Sequence, residues 1–514
     1  MSSKYEKTEF YSLIEKLKKS SISAVANGLT EELSSFEEYM YIQRDLDRQF
    51  EEYISDAISK NKALVIILGR VGEGKSRLLK SLYKKFPEEK GKWEIYNDGT
   101  ESFDPKKEYI ETLDEHVLKP FSDVMLSGSN AKKVILAINI GPLDNFKLKK
   151  NESYSKLFSL LDLNKSESYS DDWLYCLNML NSPLFKYENK GISVGEIGSV
   201  FNKVFSDGSD NIFKLALEKS KEQVPNHILE NFNFLSQQEN RKVIIRLLIK
   251  SLIKHKYFLS FRMLLNFIHS LIHLDTRKYD FSYSLFNDDC DDEVHRHLKK
   301  MDPCSSRSAS QEFEILANCY SNGKFNKEMA KQITRKSIFT NYTENETYSS
   351  FVKLLIYSRD RDAFSEDVED IIDSLLIPAI SSWNGVFSSN KGRHIILPYY
   401  NSKKYRLAKS VLIEAQDLNS VGIYEIEIDF GIGGKLILDF KLFDLLVRVS
   451  NGYVPNVYDK EQFILLDKLV KTILKNSNND VLHVDQKNYK HEIDFEFELK
   501  SKLGKKKLYF NKKG

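Results

Sequence analysis

The chain has 514 residues, a formal net charge of +2 and 41% hydrophobic residues. This composition is too apolar for a disordered chain, and the small net charge excludes a whole-chain basic footprint for nucleic acid. The four cysteines show no CxxC spacing and no paired histidine, which argues against a cysteine zinc site and fits a reducing cytoplasm. No apolar run reaches the ~18–20 residues that span a bilayer, and the charged N-terminus lacks a signal-peptide core. We therefore expect a cytoplasmic protein without a membrane segment.

The predicted elements fall into four regions. Residues 1–40 predict an N-terminal helical segment, 41–275 a parallel-sheet core with a helical lid, 276–370 a mostly helical middle region, and 371–514 an α+β domain. The fourth region is distinguished by strand-like runs such as IYEIEIDF, which alternate apolar and acidic residues. It ends in a basic tail, Lys500–Lys513, which is most often a solvated terminus, with nucleic-acid contact as the alternative.

Within the core, three strands and two helices alternate. Ala63–Leu68 is a continuous apolar run that predicts a strand buried on both faces, and the helix that follows is closed by Pro87. A short strand at Trp93–Tyr96, a long amphipathic helix at Pro105–Met125 and a buried strand at Val134–Ile140 come next. This order is typical of a parallel sheet with helices on its faces.

After the third strand, residues 145–275 read as mostly helical. The strongest helical stretch is Arg241–Leu274, which predicts two helices with a break near His255–Ser260. The α/β core with this helical lid is the fold class that we expect for the first half of the chain.

The segment GRVGEGKS, Gly69–Ser76, meets the motif GxxxxGK[ST] between a buried strand and a helix. Its glycines permit the unusual dihedrals with which backbone N–H groups converge on phosphate oxygens. Lys75 is expected to contact the β- and γ-phosphates of ATP, and Ser76 to ligate Mg²⁺. The nucleotide-binding residues predicted from the motif are Gly69, Val71, Gly72, Glu73, Gly74, Lys75, Ser76 and Arg77.

The acid that should work opposite this loop is harder to assign, because no apolar strand ending in an acidic pair follows it. Asp98 and Glu101, just after the second strand, are the candidates for water activation, and Asp98 for Mg²⁺ as well. The alternative is that NDGTES is a turn in which Asp98 bonds its own backbone. Asp144 is a weaker candidate.

Two further residues resemble the sensor residues of AAA+ ATPases. Asn139, at the tip of the third strand, either positions the attacking water or caps the turn before Pro142. Arg262, in SFRMLLNF at a predicted helix start, either reaches the γ-phosphate or is a solvated or ion-pairing residue.

Several segments together resemble the F subunit of the DNA phosphorothioation-dependent restriction system, the DptF (DndF) family. They are GRVGEGKS, NDGTESFDPKKEYIETLDEHVLKPFSD, VILAINIGPLDNF, FLSFRMLLNFIHSLI, ISSWNGV and YRLAKSVLI, spanning about residues 40–475. The resemblance implies an ATPase of AAA+-like architecture that acts with partner subunits G and H in antiviral defence against unmodified DNA. It implies nucleotide binding by the loop glycines, Lys75 and Ser76, and it leaves Asp98, Glu101, Asn139 and Arg262 without settled roles.

Two readings of this ATPase stay open. In the first, the chain hydrolyses ATP and couples its nucleotide state to partner or DNA engagement. In the second, it is a nucleotide-bound scaffold with negligible turnover, which the missing acidic pair favours. A homo-oligomer is compatible with either, since AAA+-like cores often complete their site with a neighbour's arginine.

A nuclease reading of the C-terminal region is much weaker. IDFEFELKSK places Glu498 and Lys500 two residues apart, with Asp494 only four residues before Glu498. Metal-dependent nucleases of this type need an acid further upstream, which Asp480 or Asp485 could supply. An exposed strand with alternating acidic and basic residues is the simpler interpretation.

Overall fold

The structure is a computed structural model. It describes residues 4–26, 34–70, 72–97, 99, 108–126, 132–161, 168–179, 184–188, 191–287, 292–305, 320–321, 324–325, 327–340, 346–372, 374, 394–402, 405–412, 417–429, 435–451, 453, 461–462, 464–465, 495–501 and 504–511. Val71, Asp98 and Glu101 lie outside the described residues, and so do Asp480, Asp485 and Asp494.

The chain divides into two compact units. The first comprises residues 1–186, 194–252 and 257–342, and the second comprises 187–193, 253–256 and 343–514. The last division falls inside the region that the sequence predicts to be a helical middle segment.

Helices and strands are numbered in chain order. The helices are α1 Glu9–Ala26, α2 Ser35–Tyr39, α3 Asp45–Ile58, α4 Lys75–Lys85, α5 Tyr109–Thr112, α6 Asp123–Leu126, α7 Ile140–Lys150, α8 Ser155–Leu160, α9 Gly195–Phe205, α10 Ile212–Ser220, α11 Asn226–Ser236, α12 Gln238–His255, α13 Phe261–Ile272, α14 Phe281–Ser284, α15 Glu293–Lys299, α16 Lys327–Thr340, α17 Glu346–Tyr357, α18 Ser365–Ile371 and α19 Phe440–Ser450. The strands are β1 Lys62–Leu68, β2 Glu94–Tyr96, β3 Lys132–Ile138, β4 Tyr169–Asp171, β5 Leu174–Asn178, β6 Lys186–Glu188, β7 Gly191–Ser193, β8 Tyr320–Ser321, β9 Lys324–Phe325, β10 His394–Ser402, β11 Tyr405–Leu412, β12 Asp417–Ser420, β13 Ile426–Asp429, β14 Lys435–Leu438, β15 Phe495–Ser501 and β16 Gly504–Asn511.

The first unit is built on a five-stranded sheet in the order β2-β3-β1-β5-β4. Strands β2, β3, β1 and β5 are parallel, and β4 is an antiparallel edge strand. The prediction of an α/β core is therefore confirmed at the level of a mixed, mostly parallel sheet flanked by helices.

Strand β1 lies at the centre of this sheet because its residues are apolar on both faces. Leu64, Ile66 and Leu68 belong to one hydrophobic core. Ala63, Val65 and Ile67 belong to the core on the opposite face, together with residues of α3 and α4. All six side chains are buried, as expected for a strand covered on both sides. This packing fixes the end of β1, from which the glycine-rich loop (Gly69–Ser76) departs.

The prediction of one long helix at Pro105–Met125 is wrong for residues 108–125, the part of this segment that the structure describes. Helix α5 ends at Thr112 and passes into a π-turn over Leu113–Val117 and a 3₁₀ turn over Lys119–Phe121 before α6 begins. Pro120 explains the interruption, because it lacks an N–H donor and its ring clashes with the carbonyl one turn earlier. The apolar face is nevertheless kept, since Ile110, Val117 and Phe121 are buried against the sheet.

The prediction that residues 145–275 are mostly helical misses four strands, β4 to β7. Strand β5 is fully buried and pairs in parallel with β1. Strand β4 precedes β5 and pairs with it in antiparallel fashion across a tight turn, in which Asp172 has φ of 46°. The apolar run LYCLNML is short enough to fit a helix or a strand, so periodicity alone does not decide. The break between two helices near residues 255–260 is confirmed by α12 and α13.

In the second unit, two antiparallel sheets have the orders β10-β11-β16-β15 and β12-β13-β14. The predicted alternation of IYEIEIDF is confirmed in β13, where Ile426 and Ile428 are buried and Glu427 and Asp429 are not. The basic segment from Gly504 to Asn511 is not a loose terminus, because β16 pairs with both β11 and β15. This register places Lys507 opposite Glu498 and Lys505 opposite Lys500. The segment IDFEFELKSK therefore contributes a strand to a regular sheet, as its simpler interpretation predicts.

Candidate functional site

The glycine-rich loop connects the end of β1 to the start of α4. Gly72 and Gly74 have φ of 86° and 93°, in the region that glycine occupies without strain. Gly74 is the N-cap of α4, so the backbone N–H groups at the start of that helix have no partner within it. The loop therefore presents the first backbone N–H groups of α4 at the positive end of a helix dipole, which is an arrangement that binds anions.

The side chain of Lys75 turns back over the loop. Its ammonium donates to the carbonyl oxygens of Gly69 at 2.7 Å and Arg70 at 2.8 Å, and to Oδ1 of Asn139 at 3.0 Å. These three acceptors carry no net charge. The positive charge is thus held at the mouth of the loop, where a phosphate oxygen can take the place of a carbonyl.

Asn139 lies at the carboxyl end of β3 and is the N-cap residue of α7. Its side chain makes no capping hydrogen bond, and it accepts from Lys75 instead. The capping alternative from the sequence is therefore not the role of this side chain. The strand ends two residues earlier than predicted, at Ile138, which leaves Asn139 free to turn toward the loop.

Glu73 has an unusual position for a residue of an exposed loop. Its side chain is buried, Oε2 accepts from the backbone N–H of Arg70 at 2.5 Å, and Oε1 has no partner among the described residues. Burial raises the pKa of this carboxyl to about 7, although Lys75, Arg70 and Arg44 act in the opposite direction. The loop thus holds an internal carboxyl against one of its own N–H groups.

Arg44 supports this arrangement from the segment before α3. Its guanidinium donates to the carbonyl of Glu73 at 3.0 Å, pairs with the buried Asp47 and lies over the ring of Phe261. The sequence prediction did not include Arg44. Its only local signal is an arginine before an amphipathic helix, which does not distinguish a buried loop contact from a surface ion pair.

Ser76 and Arg77 occupy the first turn of α4 and differ in their surroundings. The Ser76 hydroxyl has no hydrogen-bond partner among the described residues, so it is available as the oxygen ligand predicted for Mg²⁺. Arg77 stacks on Tyr41 at 4.1 Å and donates to the carbonyl of Ile42 at 3.5 Å. Burial lowers its pKa to about 10. The contacts of Arg77 connect the loop to residues 41–42.

Arg262 lies beside the glycine-rich loop, in the first turn of α13. A Cβ atom at Gly72 would be 3.0 Å from Arg262 Cβ and 3.2 Å from Ser260 Oγ. Ser260 is the N-cap of α13 and accepts from the N–H of Met263. The Arg262 guanidinium has no ion-pair partner within the described part of the chain, and burial lowers its pKa. The ordinary ion pair considered for Arg262 is therefore not formed there.

Two of the predicted acids, Asp98 and Glu101, lie outside the described residues. Their neighbours Asn97 and Gly99 lie beside the end of β3. The N–H of Gly99 donates to Ala137 at 2.9 Å, and a Cβ at Gly99 would collide with Ile138. Gly99 therefore suits the close approach to β3 better than alanine would. Asp144 is exposed on α7, which does not support its candidacy.

A cleft adjoins the loop on the side of α13. The residues that line it are Arg44, Leu46, Glu73, Met179, Leu184, Glu196, Phe258, Leu259, Ser260 and Phe261. Burial raises the pKa of Glu196 to about 7, as it does for Glu73. The sequence prediction also missed Glu196 and Phe258. Both are far from the loop in sequence and belong to no recognised motif, so only the folded structure brings them beside the cleft.

Comparisons with known proteins leave the family open. No protein-family model, curated protein or solved structure matches the chain. Within the described part of the chain, none of the helices combines the length and the apolarity needed to cross a membrane. The resemblance to the restriction F subunit stays a prediction that rests on the quoted sequence segments.

Proposed function

We propose that the chain is a P-loop ATPase of AAA+-like architecture that binds ATP with Mg²⁺ at Gly69–Ser76 and hydrolyses it. The observation that carries the proposal is the hydrogen bond from Lys75 to Asn139 at 3.0 Å. It joins the motif lysine to a polar side chain at the tip of the neighbouring parallel strand, where ligands of α/β sheets bind. The resemblance to the restriction F subunit agrees with this activity.

Phosphate binding is assigned to the loop backbone and Lys75. The helix-start N–H groups of α4 bind the phosphate chain, and the ammonium exchanges a neutral carbonyl acceptor for a charged phosphate oxygen. Ser76 is the residue suited to hold Mg²⁺, which supplies charge neutralisation on the phosphates when it is bound. Asp98 is proposed as a second ligand on the sequence pattern alone.

Hydrolysis requires a water oxygen to attack the γ-phosphorus while the bond from that phosphorus to the bridging oxygen of ADP breaks. Asn139 is proposed to orient this water, because it lies beside Lys75. Arg262, whose guanidinium has no ion-pair partner among the described residues, is proposed to stabilise charge on the transferred phosphoryl group. Glu101 and Asp98 are the proposed acids for the water's proton. Products are ADP and inorganic phosphate.

The biological setting that we propose is a phosphorothioation-dependent restriction system, in which nucleotide state governs engagement of the G and H subunits and of DNA. Phosphate release should be measured on purified wild type and on Lys75→Ala, each with and without DNA and the two subunits. We expect release to depend on Lys75 and to rise with the subunits or DNA. A wild-type rate equal to that of Lys75→Ala under all four conditions contradicts the ATPase proposal.

A nucleotide-bound scaffold is the second candidate, and the missing acidic pair after the loop favours it. Asp98 and Glu101, the acids proposed for water activation, are assigned from the sequence pattern alone. This reading expects tight ATP binding that is lost in Lys75→Ala, without phosphate release. Release that depends on Lys75 contradicts it.

A further inference from the structure

Three metal-ligating side chains meet where α1 packs against α13, far along α13 from the glycine-rich loop. They are Glu15 of α1, His269 of α13 and His273, the residue that follows α13. One ligand atom from each lies within 4.8 Å of the others. None of these residues belongs to the proposed nucleotide site, and no sequence motif pointed to them.

The two histidines are presented on one side of the helix by their spacing. Residues four apart are neighbours on a helix surface, and the rings of His269 and His273 stack with centroids 4.3 Å apart. Glu15 approaches from the facing helix, with Oε1 3.0 Å from Nε2 of His269. Two imidazoles and a carboxylate from two different elements therefore converge on one point.

The hydrogen bond of the His273 ring suits a role as a metal ligand. Its Nδ1 lies 3.0 Å from the carbonyl oxygen of His269, an acceptor, so Nδ1 carries the proton and Nε2 keeps its lone pair. A backbone carbonyl that fixes the tautomer in this way is the usual support of a metal-bound histidine. The Nε2 atom of His273 has no hydrogen-bond partner among the described residues.

The spacing of the three ligand atoms and the burial of their side chains also fit a metal site. Ligand bonds of about 2.0–2.1 Å in a tetrahedron separate ligand atoms by about 3.3 Å, so the cluster needs only small side-chain rotations to close. The His269 and Glu15 side chains are 11% and 22% exposed, which shields the site while leaving it open to an ion from solvent. Two histidines and one carboxylate, with water completing the tetrahedron, form a common zinc ligand set.

We propose that Glu15, His269 and His273 bind a divalent transition metal of the zinc class, which fastens α1 to the far end of α13. The opposite end of α13 carries Arg262 beside Gly72, so the ion anchors the helix that covers the glycine-rich loop. This site is separate from the proposed Mg²⁺ site and does not depend on ATP hydrolysis.

The test is Zn²⁺ titration of the full chain, free of any affinity tag and stripped with a chelator, followed by calorimetry and thermal melting. Co²⁺ provides an absorption spectrum that reports nitrogen and oxygen ligation. We expect one tightly bound Zn²⁺ per chain, a higher Tm with Zn²⁺, and about tenfold or greater loss of affinity in His269→Gln and in His273→Gln.

Glu15→Gln is the decisive variant, because glutamine can keep a hydrogen bond to His269 but is a poor zinc ligand. We expect it to fold, as judged by circular dichroism, and to lose about tenfold in Zn²⁺ affinity. His116→Gln, an exposed histidine outside the cluster, is the matched control and should bind as wild type does. Zn²⁺ affinity that is absent in folded wild type, or equal in wild type and the three cluster variants, overturns the proposal.

Discussion

The ammonium of Lys75 and the side-chain oxygen of Asn139 lie 3.0 Å apart although 64 positions separate them in the chain. The sheet brings them together, because β1 and β3 are adjacent and parallel, with Leu68 opposite Ile138. The loop after β1 and the residue after β3 consequently emerge at the same edge. Five predictions concern the residues around this contact.

Asn139→Ala should lower kcat of ATP hydrolysis by roughly 10²-fold while leaving the Kd for ATP within a few-fold of wild type. The reason is that the proposed mechanism assigns Asn139 to the attacking water and the loop backbone to the phosphates. Steady-state turnover and equilibrium binding of labelled ATP separate these quantities. Asn151→Ala, at an exposed position after α7, is the control. Equal loss of binding and turnover would mean that Asn139 acts only by holding Lys75.

Glu73→Gln should stabilise the protein at high pH. Burial raises the pKa of Glu73 from 4.5 to about 7, so the folded state binds this proton more tightly than the unfolded state does. Stability from this group is therefore full below pH 4.5 and is lost as the pH rises to about 7, by about 3 kcal/mol. Urea unfolding at pH 5 and pH 8 should show the variant gaining much more at pH 8 than at pH 5. Glu88→Gln, at an exposed position, should show no such difference.

The same carboxyl should make ATP binding sensitive to pH. Above pH 7 the ionised Glu73 repels the phosphates from the loop, so the wild-type Kd for ATP should rise with pH through this range. In Glu73→Gln the Kd should vary less between pH 6 and pH 8. Calorimetric titration with ATP at several pH values measures both. A wild-type dependence that persists unchanged in Glu73→Gln would assign the effect to another group.

Gly72→Ala should cost more stability than Gly91→Ala. The two glycines have nearly the same φ, 86° and 84°, and so carry the same left-handed strain of about 1–2 kcal/mol when substituted. Only at Gly72 would the new methyl group meet a neighbour, Arg262 Cβ at 3.0 Å, while nothing lies within 4 Å at Gly91. Denaturant unfolding of both variants measures the difference. Equal costs would show that α13 does not press on the loop in solution.

Arg262→Ala should lower ATP turnover by roughly 10²-fold or more, because the proposal assigns the guanidinium to the transferred phosphoryl group. The Tm should not fall, because the substitution breaks no ion pair among the described residues. Arg262→Lys should recover only part of the rate, since a lysine lacks the planar fork. Arg296→Ala, at an exposed position on α15, is the control. Turnover that is unchanged in Arg262→Ala would remove this residue from the proposed mechanism.

Much of the core could be read directly from local patterns. The uninterrupted apolar run of β1, the GxxxxGK[ST] loop and the start of α4 follow from short-range chemistry, because glycines, a helix start and six buried residues occur consecutively. The interruption at Pro120 could also have been read from the sequence, since proline ends a helix by a local mechanism. Strand β5 could not, because its short apolar run fits either type of element until β1 pairs with it.

The sequence by itself determined the glycine-rich loop, the buried strand before it and the helix after it. Only the tertiary structure decided which distant side chains face that loop: Asn139 by strand adjacency, Arg262 by the packing of α13, and Glu73 by burial. It also brought Glu15 to His269 and His273 across two helices. The physical reason is that motif chemistry depends on neighbours along the chain, whereas charge, pKa and coordination depend on neighbours in space, which packing of the whole unit selects.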